Sequence, residues 1–271
     1  MQAKKVIDHI QSWLLNYVDQ AGAKGFVVGV SGGIDSAVVS SLCARTEKQV
    51  ILMEMPIHQA HDQVSRGKKH IEWLKKKHDN VSSIDMDLTP SYDEFVRALE
   101  KNQDINAHTD LKFHTLSNVR SRMRMVSLYA VAQLNSLLVC GTGNKVEDFG
   151  VGFFTKYGDG GVDLSPIADL MKSEVYELGK HLGVDKEILT ARPTDGLWDD
   201  GRTDEDQIGA TYDELEWAMK VQQKHGDNPH ESVFENSRQE NIWKIYLERH
   251  KANTHKMKPI PVCEIPKELM K

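Results

Sequence analysis

Cysteine is scarce in this chain: three residues in 271, Cys43, Cys140 and Cys263, with no C-x-x-C spacing. So few, scattered and odd in number, they supply neither a disulfide framework nor a thiolate zinc site, and they point to a reducing compartment, the cytoplasm. Positive charge is also short. Lys and Arg number 34 against 40 Asp and Glu, a formal charge of −6, which argues against a general nucleic-acid binder. There is no run of ~18 apolar residues of the kind that spans a membrane. The N-terminal stretch "MQAKKVIDHIQSWLLNYVDQ" breaks its apolar positions with polar ones, unlike a signal peptide. Internal repeats and low-complexity tracts are missing too. What is left is 39% hydrophobic and 27% charged, an ordinary globular composition with enough apolar residues for a full core.

Periodicity then orders the elements. Val6, Ile7, Ile10, Trp13, Leu14, Tyr17 and Val18 fall at helical spacing, which predicts a core-facing helix over 4–20. Apolar runs at 26–30, 50–56 and 137–141 read as strands, and the more polar "VSSIDMD" at 81–87 reads as another. A helix starting near Asp35 and helices over 59–77, 90–101 and 117–135 alternate with them, the last rich in methionine and alanine. This alternation predicts an α/β fold, a doubly wound and mostly parallel sheet flanked by helices, with a helical C-terminal part over 172–183, 211–225 and 232–250. Ligands of such sheets bind beyond the carboxyl ends of the strands, so the loops after residues 30, 55, 87 and 141 are where function is expected.

The first of these loops is distinctive. "FVVGVSGGIDSAV" (26–38) runs from a strand through glycines into a helix, a junction where backbone N–H groups hold phosphate. It lacks the lysine of the G-x-x-x-x-G-K-[ST] loop and carries Asp35 instead. Three readings follow. Asp35 could be a helix N-cap on an ordinary glycine turn. Gly29-Val30-Ser31-Gly32-Gly33 fits G-x-S-x-G, with Ser31 as nucleophile, but an elbow of that kind needs an oxyanion-hole strand upstream, and only one helix precedes this strand. Or the N–H groups and the Ser31 and Ser36 hydroxyls wrap a pyrophosphate, and Asp35 meets it through Mg²⁺, which takes one or two carboxylates plus phosphate oxygens. That arrangement suits ATP cut between its α and β phosphates, where no Walker lysine is needed.

"SGGIDSAV" resembles the pyrophosphate loop of the N-type ATP pyrophosphatases, a superfamily that includes NAD synthetases, GMP synthetases, asparagine synthetases and tRNA-thiolating enzymes. The loop does not choose among them. The stretch "GTGNKVEDFGVGFFTKYGDGGVDLSPIADLMKSEVYELGKHLGV" (141–184) does: it resembles the NAD synthetase family at nearly every position, as do "ARPTDGLWDDGRTDEDQIGATYDEL" (191–215), "NVRSRMRM" (118–125) and "THKMKPIP" (254–261). The resemblance covers essentially the whole chain and implies a single domain over 1–271 of the adenine nucleotide α-hydrolase-like type. It implies ATP contacts at Gly29, Val30, Ser31, Gly32, Gly33, Ile34, Asp35, Ser36, Thr142, Lys172 and Thr194, and Mg²⁺ on Asp35 and Glu147. It assigns Arg122, Lys156, Asp163, His255 and Lys256 to the dinucleotide substrate. One spacing departs: 148–155 is one residue longer than the family's interval between the metal glutamate and the lysine of "FTKYGDG".

The reaction implied is amidation of nicotinic acid adenine dinucleotide (deamido-NAD) with ammonia, giving NAD, AMP and pyrophosphate through an acyl-adenylate. Asp35 and Lys172 are the expected catalytic groups, and Asp159 or Asp163 is placed to deprotonate ammonium. The chain reaches the ATP loop too early to hold a nitrilase-type glutaminase domain ahead of it, so free ammonia, or ammonia from a separate protein, is the expected donor. A homodimer is expected, with the helices over 4–20 and 117–135 supplying its apolar patch. The acidic stretch 195–209 is expected to be a lid over the nucleotide. Two other classes stay open. Another N-type pyrophosphatase, adenylating a different acid or an RNA base, would in the RNA case bring reactive cysteines or an RNA-binding module. A non-catalytic nucleotide-binding regulator would be expected to lack Asp35 or Glu147.

Overall fold

A computed structural model describes residues 1–59, 61–102, 109–194 and 203–270 of the chain. Four parallel strands form the sheet: β1 (Gly25–Gly29), β2 (Gln49–Glu54), β3 (Val81–Asp85) and β4 (Leu137–Val139), in the order β3-β2-β1-β4. The register is in phase, with Val27 beside Ile51 and Val139, and Leu52 beside Ser83. Beyond β4 the ladder is extended by one parallel bridge between Cys140 and Leu164. β1 and β2 are nearly continuous apolar runs, as strands covered on both faces must be.

Helices cover both faces. On one side lie α1 (Ala3–Gln20), α2 (Ile34–Ala44), α3 (His61–Lys77) and, from later in the chain, α6 (Lys172–Leu182); Leu14, Val18, Val38, Leu42, Leu74 and Leu178 meet there at the centre of the core. On the other side α4 (Thr89–Glu100) and α5 (Thr109–Asn135) pack Tyr92, Val131 and Ala132 against Val27, Met53 and Val139. Three further helices follow, the short α7 (Lys186–Thr190) and α8 (Asp204–Ile208), then α9 (Tyr212–His225). With α10 (Ser237–Met257), α9 builds a third apolar cluster around Leu215, Ile242 and Tyr246.

The differences from the sequence reading have local causes. α1 turns Ile7, Ile10, Leu14 and Val18 inward but leaves Trp13 and Tyr17 more than a third exposed, 38% and 37%. α5 starts well before residue 117. α10 begins after Asn236, whose side chain accepts the Gln239 N–H, and it continues to Met257. The segment 146–151 is a single turn of π-helix containing Glu147. A π turn takes up one residue more than an α turn, which matches the one-residue lengthening of the interval before Lys156. Most of the lid stretch, 195–202, lies outside the described residues; the rest is α8 with its caps, Thr203, whose hydroxyl accepts the Asp206 N–H, and Gly209. Among the described residues no helix is long and apolar enough to cross a membrane.

Candidate active site

Strand order reverses between β1 and β4, and the loops after these two strands frame a cleft of about 520 Å³. This is where a ligand of a doubly wound sheet belongs. Its floor is the loop from β1 to α2. Gly32 takes a left-handed conformation, φ 80°, which lets the chain turn from strand to helix within four residues, 30–33. The loop is held by its own hydroxyls: Ser31 N–H donates to Ser36 Oγ (3.2 Å), Gly33 N–H donates to Ser31 Oγ (3.3 Å), and Ser36 Oγ donates to the Gly33 carbonyl (3.1 Å). No side chain caps α2. Asp35 sits inside the first turn rather than at the N-cap, and its carboxylate is used elsewhere. The first N–H groups of α2 are therefore open to an anion at the cleft.

Three charged side chains from three distant segments meet above this loop. Lys172, the first residue of α6, is buried, 3% exposed. Its Nζ donates to Asp35 Oδ2 at 2.6 Å and to Glu147 Oε1 at 2.9 Å. Asn144, fully buried, ties the two carboxylate-bearing elements together. Its Nδ2 donates to Asp35 Oδ1 (3.1 Å), and its Oδ1 accepts the Val146 and Glu147 N–H groups. Tyr212, at the start of α9, donates its hydroxyl to Glu147 Oε1 at 2.6 Å.

The electrostatics follow from this geometry. Burial alone would strip Lys172 of its proton; the two carboxylates outweigh it and hold the ammonium charged. Burial also pushes Glu147 up, but Lys172 and the Tyr212 hydroxyl outweigh that and bring it below its ordinary value. One ammonium cannot balance two carboxylates, and the excess falls on Asp35, raised by burial and by the Glu147 charge against the pull of Lys172. Asp148, next in the chain, is pushed up to about 8 by burial and by the charges of Glu147, Asp159 and Asp35.

A second polar group closes the far wall. Asp159 is raised by burial. Its Oδ1 accepts Ser121 Oγ–H (2.6 Å) and Thr155 N–H (3.0 Å), and its own N–H donates back to Ser121 Oγ (2.8 Å). The turn needs glycine: a Cβ on Gly158 would stand 2.3 Å from Ser121 Oγ.

Asp35 and Glu147 are suited to a divalent cation. The donors are hard oxygens, both carboxylates lie against the one Lys172 ammonium, and they carry more negative charge than it neutralises. Among the described residues no group of three or more His, Cys, Asp or Glu side chains could hold a metal. Two carboxylates, with phosphate and water completing the shell, are what Mg²⁺ takes in nucleotide sites.

The structure brings most of the expected residues to this cleft. Gly29 through Ser36, Thr142, Glu147, Asp159, Lys172, Thr194 and Lys256 all line it. Lys256 Nζ donates to the carbonyls of Gly152 and Phe154, both at 2.8 Å. Arg122, Lys156, Asp163 and His255 do not line it. Arg122 donates to the Lys156 carbonyl, and Lys156 Nζ to the His255 carbonyl, at the surface. The Asp163 carboxylate accepts Val139 N–H (2.8 Å) and the Tyr129 hydroxyl (3.0 Å), bonds that secure the end of β4. Sequence reasoning missed Asn144, Asp148, Ser121 and Tyr212. Only Asn144, just ahead of a helical turn, had a local signal.

Fold and cleft together define a nucleotide-binding α/β protein with an anion loop and a carboxylate pair at one switch point. The NAD synthase family matches residues 6–260, and the chain belongs to that family. It is 42% identical over 212 residues to the NH(3)-dependent NAD(+) synthetase of Alkaliphilus oremlandii, covering 77% of this chain and 82% of the relative. It is 38% identical over 216 residues to the enzyme of that name from Mycoplasma genitalium, covering 80% and 83%. A solved structure of NMN synthetase from Francisella tularensis superposes with a TM-score of 0.84 at 31% identity, covering 98% of this chain and all of that one.

Proposed function

We propose that the protein is a C–N ligase that joins ammonia to the nicotinate carboxylate of deamido-NAD, at the expense of ATP cut between its α and β phosphates. The observation that carries this reading is the meeting of Asp35, Glu147 and Lys172 above an uncapped helix N-terminus. A nicotinate carboxylate is a poor electrophile, since amide formation would have to expel oxide or hydroxide. Attack of its oxygen on the α-phosphate makes a mixed anhydride and releases pyrophosphate; attack of ammonia on the acyl carbon then breaks the C–O bond to AMP and gives the amide. The residues contribute position and charge. The Ser31–Ser36 loop and the first N–H groups of α2 receive the pyrophosphate. Lys172 offsets negative charge on the leaving group, and the Asp159 carboxylate, which lines the cleft, takes the proton from ammonium. Asp35 and Glu147 would hold Mg²⁺, which when bound supplies Lewis-acid stabilisation of the phosphate oxygens.

The whole chain serves as one synthetase domain in this reading. Arg122, Lys156, Asp163 and His255 lie outside the cleft, which suits a long dinucleotide whose adenosine half extends over the surface and is covered by a second copy of the chain. α5 supports such a homodimer with Val126 (61% exposed) and Leu134 (85% exposed), and α1 with Trp13 and Tyr17. An activity that consumes ATP belongs in the cytoplasm.

A second reading rests on the Francisella tularensis structure: amidation of the mononucleotide, nicotinic acid mononucleotide, by the same chemistry. The two separate in one experiment. With ATP, Mg²⁺ and ammonium, deamido-NAD and the mononucleotide are offered in turn and kcat/KM is compared. The dinucleotide is expected to win, and Arg122→Ala to weaken it more than the mononucleotide. A preference for the mononucleotide that Arg122→Ala leaves untouched overturns the dinucleotide assignment.

A further inference from the structure

Tyr212 has no place in the chemistry just described, yet it touches the centre of the cluster. The residue is buried, 6% exposed, at the first position of α9. Its hydroxyl donates to Glu147 Oε1 at 2.6 Å, and the face of its ring lies 4.7 Å from Lys172 Nζ. The Asp204 carboxylate, from α8, stands 3.3 Å from the same hydroxyl. A phenolic hydroxyl has one proton to give, and the shorter contact takes it to Glu147.

Lys172 and Tyr212 thus donate to one and the same oxygen of Glu147, Oε1. Neither reaches Oε2. A carboxylate pinned at one oxygen by two donors loses rotation about its terminal bond, and its second oxygen is held in a set direction. Glu147 itself lies on a single π-helical turn, a feature frequent at functional sites. The ring over Lys172 adds a second restraint through the ammonium.

We propose that Tyr212 is a positioning residue for Glu147: by fixing Oε1 it presents the carboxylate to a divalent cation. This rests on the reading of Asp35 and Glu147 as cation ligands. Partners of this kind behind a metal ligand typically contribute ~10–100-fold to metal affinity.

The test uses Mn²⁺ as a spectroscopic probe. Its binding to the full-length protein with a non-hydrolysable ATP analogue is read by electron paramagnetic resonance. Four proteins are compared: the parent chain, Glu147→Gln, Tyr212→Phe and Thr211→Ala. Tyr212→Phe keeps the ring over Lys172 and loses only the hydroxyl. Thr211→Ala removes the N-cap of α9, whose Oγ1 accepts the Glu214 N–H, and serves as a purely structural disturbance of the same helix. The expected result is weaker Mn²⁺ binding by ~10-fold in Tyr212→Phe, a larger loss in Glu147→Gln, and parent affinity in Thr211→Ala despite a lower melting temperature. In turnover, the Mg²⁺ requirement of Tyr212→Phe rises while kcat at saturating Mg²⁺ changes less. If Glu147→Gln weakens Mn²⁺ and Tyr212→Phe does not, the positioning role is wrong and the metal reading survives. If Glu147→Gln binds Mn²⁺ like the parent, both fall.

Discussion

Lys172 Nζ lies 2.6 Å from Asp35 Oδ2, across 137 residues of sequence, the lysine side chain 4% exposed and the aspartate 18%. The pair fixes α6 to the first turn of α2, and so fixes the β1–α2 glycine loop to the wall of the cleft. Removing the ammonium should be worse than removing its partner. Lys172→Met leaves two partly buried carboxylates without their cation, a change expected to cost about 3 kcal/mol of stability and most of the activity. Urea denaturation of the two proteins measures the first; a Lys172→Met protein as stable as the parent contradicts the arrangement.

Asp35→Asn should separate activity from folding. The amide sets a donor against either Lys172 or Asn144, a mismatch of about 1–2 kcal/mol, well short of unfolding. Turnover should fall on the order of 10²-fold or more through loss of a cation ligand. Steady-state rates across a Mg²⁺ series check this, and near-parent turnover at every concentration speaks against the ligand role.

His70 should make stability depend on pH. It is 2% exposed and bonded at Nε2 to Ser40 Oγ (2.9 Å). Ser40 Oγ–H is already directed at the Ser36 carbonyl at 2.6 Å, so Nε2 is the protonated nitrogen and a second proton would have to sit on the unpartnered Nδ1. Burial lowers the folded value to about 4 from 6.5. Between those values the unfolded chain takes a proton that the folded chain refuses. This contribution is therefore complete above pH 6.5 and lost as pH falls towards 4, by about 3 kcal/mol in all. Denaturation of the parent and His70→Gln at pH 7 and pH 4.5 should show a shallower pH dependence in the variant; equal slopes would remove His70 from the account.

Val126→Glu with Leu134→Glu should dissociate a dimer without unfolding the subunit, since both side chains stand mostly in solvent in the single chain. Light scattering on the parent and the double variant reads the masses directly. Two equal masses would place the interface elsewhere.

The parts of this site that were legible in the sequence are those where local spacing and local chemistry coincide. The phosphate loop follows a strand and opens a helix within a few residues, and Asp35 and Glu147 stand beside glycine turns at strand ends. β1 and β2 were legible because burial on both faces forces continuous apolar runs. Other parts were hidden by distance. Tyr212 reaches Glu147 across 65 residues and Asn144 reaches Asp35 across 109, and neither has a local pattern that announces the contact. Asp163 shows the opposite case: it stands in a motif rich in site residues, but its carboxylate completes the hydrogen bonding of β4. The π turn at 146–151 was visible only as an interval one residue too long.

Adenylation of the nicotinate carboxylate before ammonia attacks leaves an isotopic mark. Deamido-NAD carrying ¹⁸O in both oxygens of its nicotinate carboxylate is turned over with ATP, Mg²⁺ and ammonium, and the phosphorus products are examined by mass spectrometry. NAD, AMP and pyrophosphate are expected in equal amounts, with one ¹⁸O in the phosphate of each AMP. Label in inorganic phosphate with ADP as the nucleotide product, or AMP without label, would contradict adenylation.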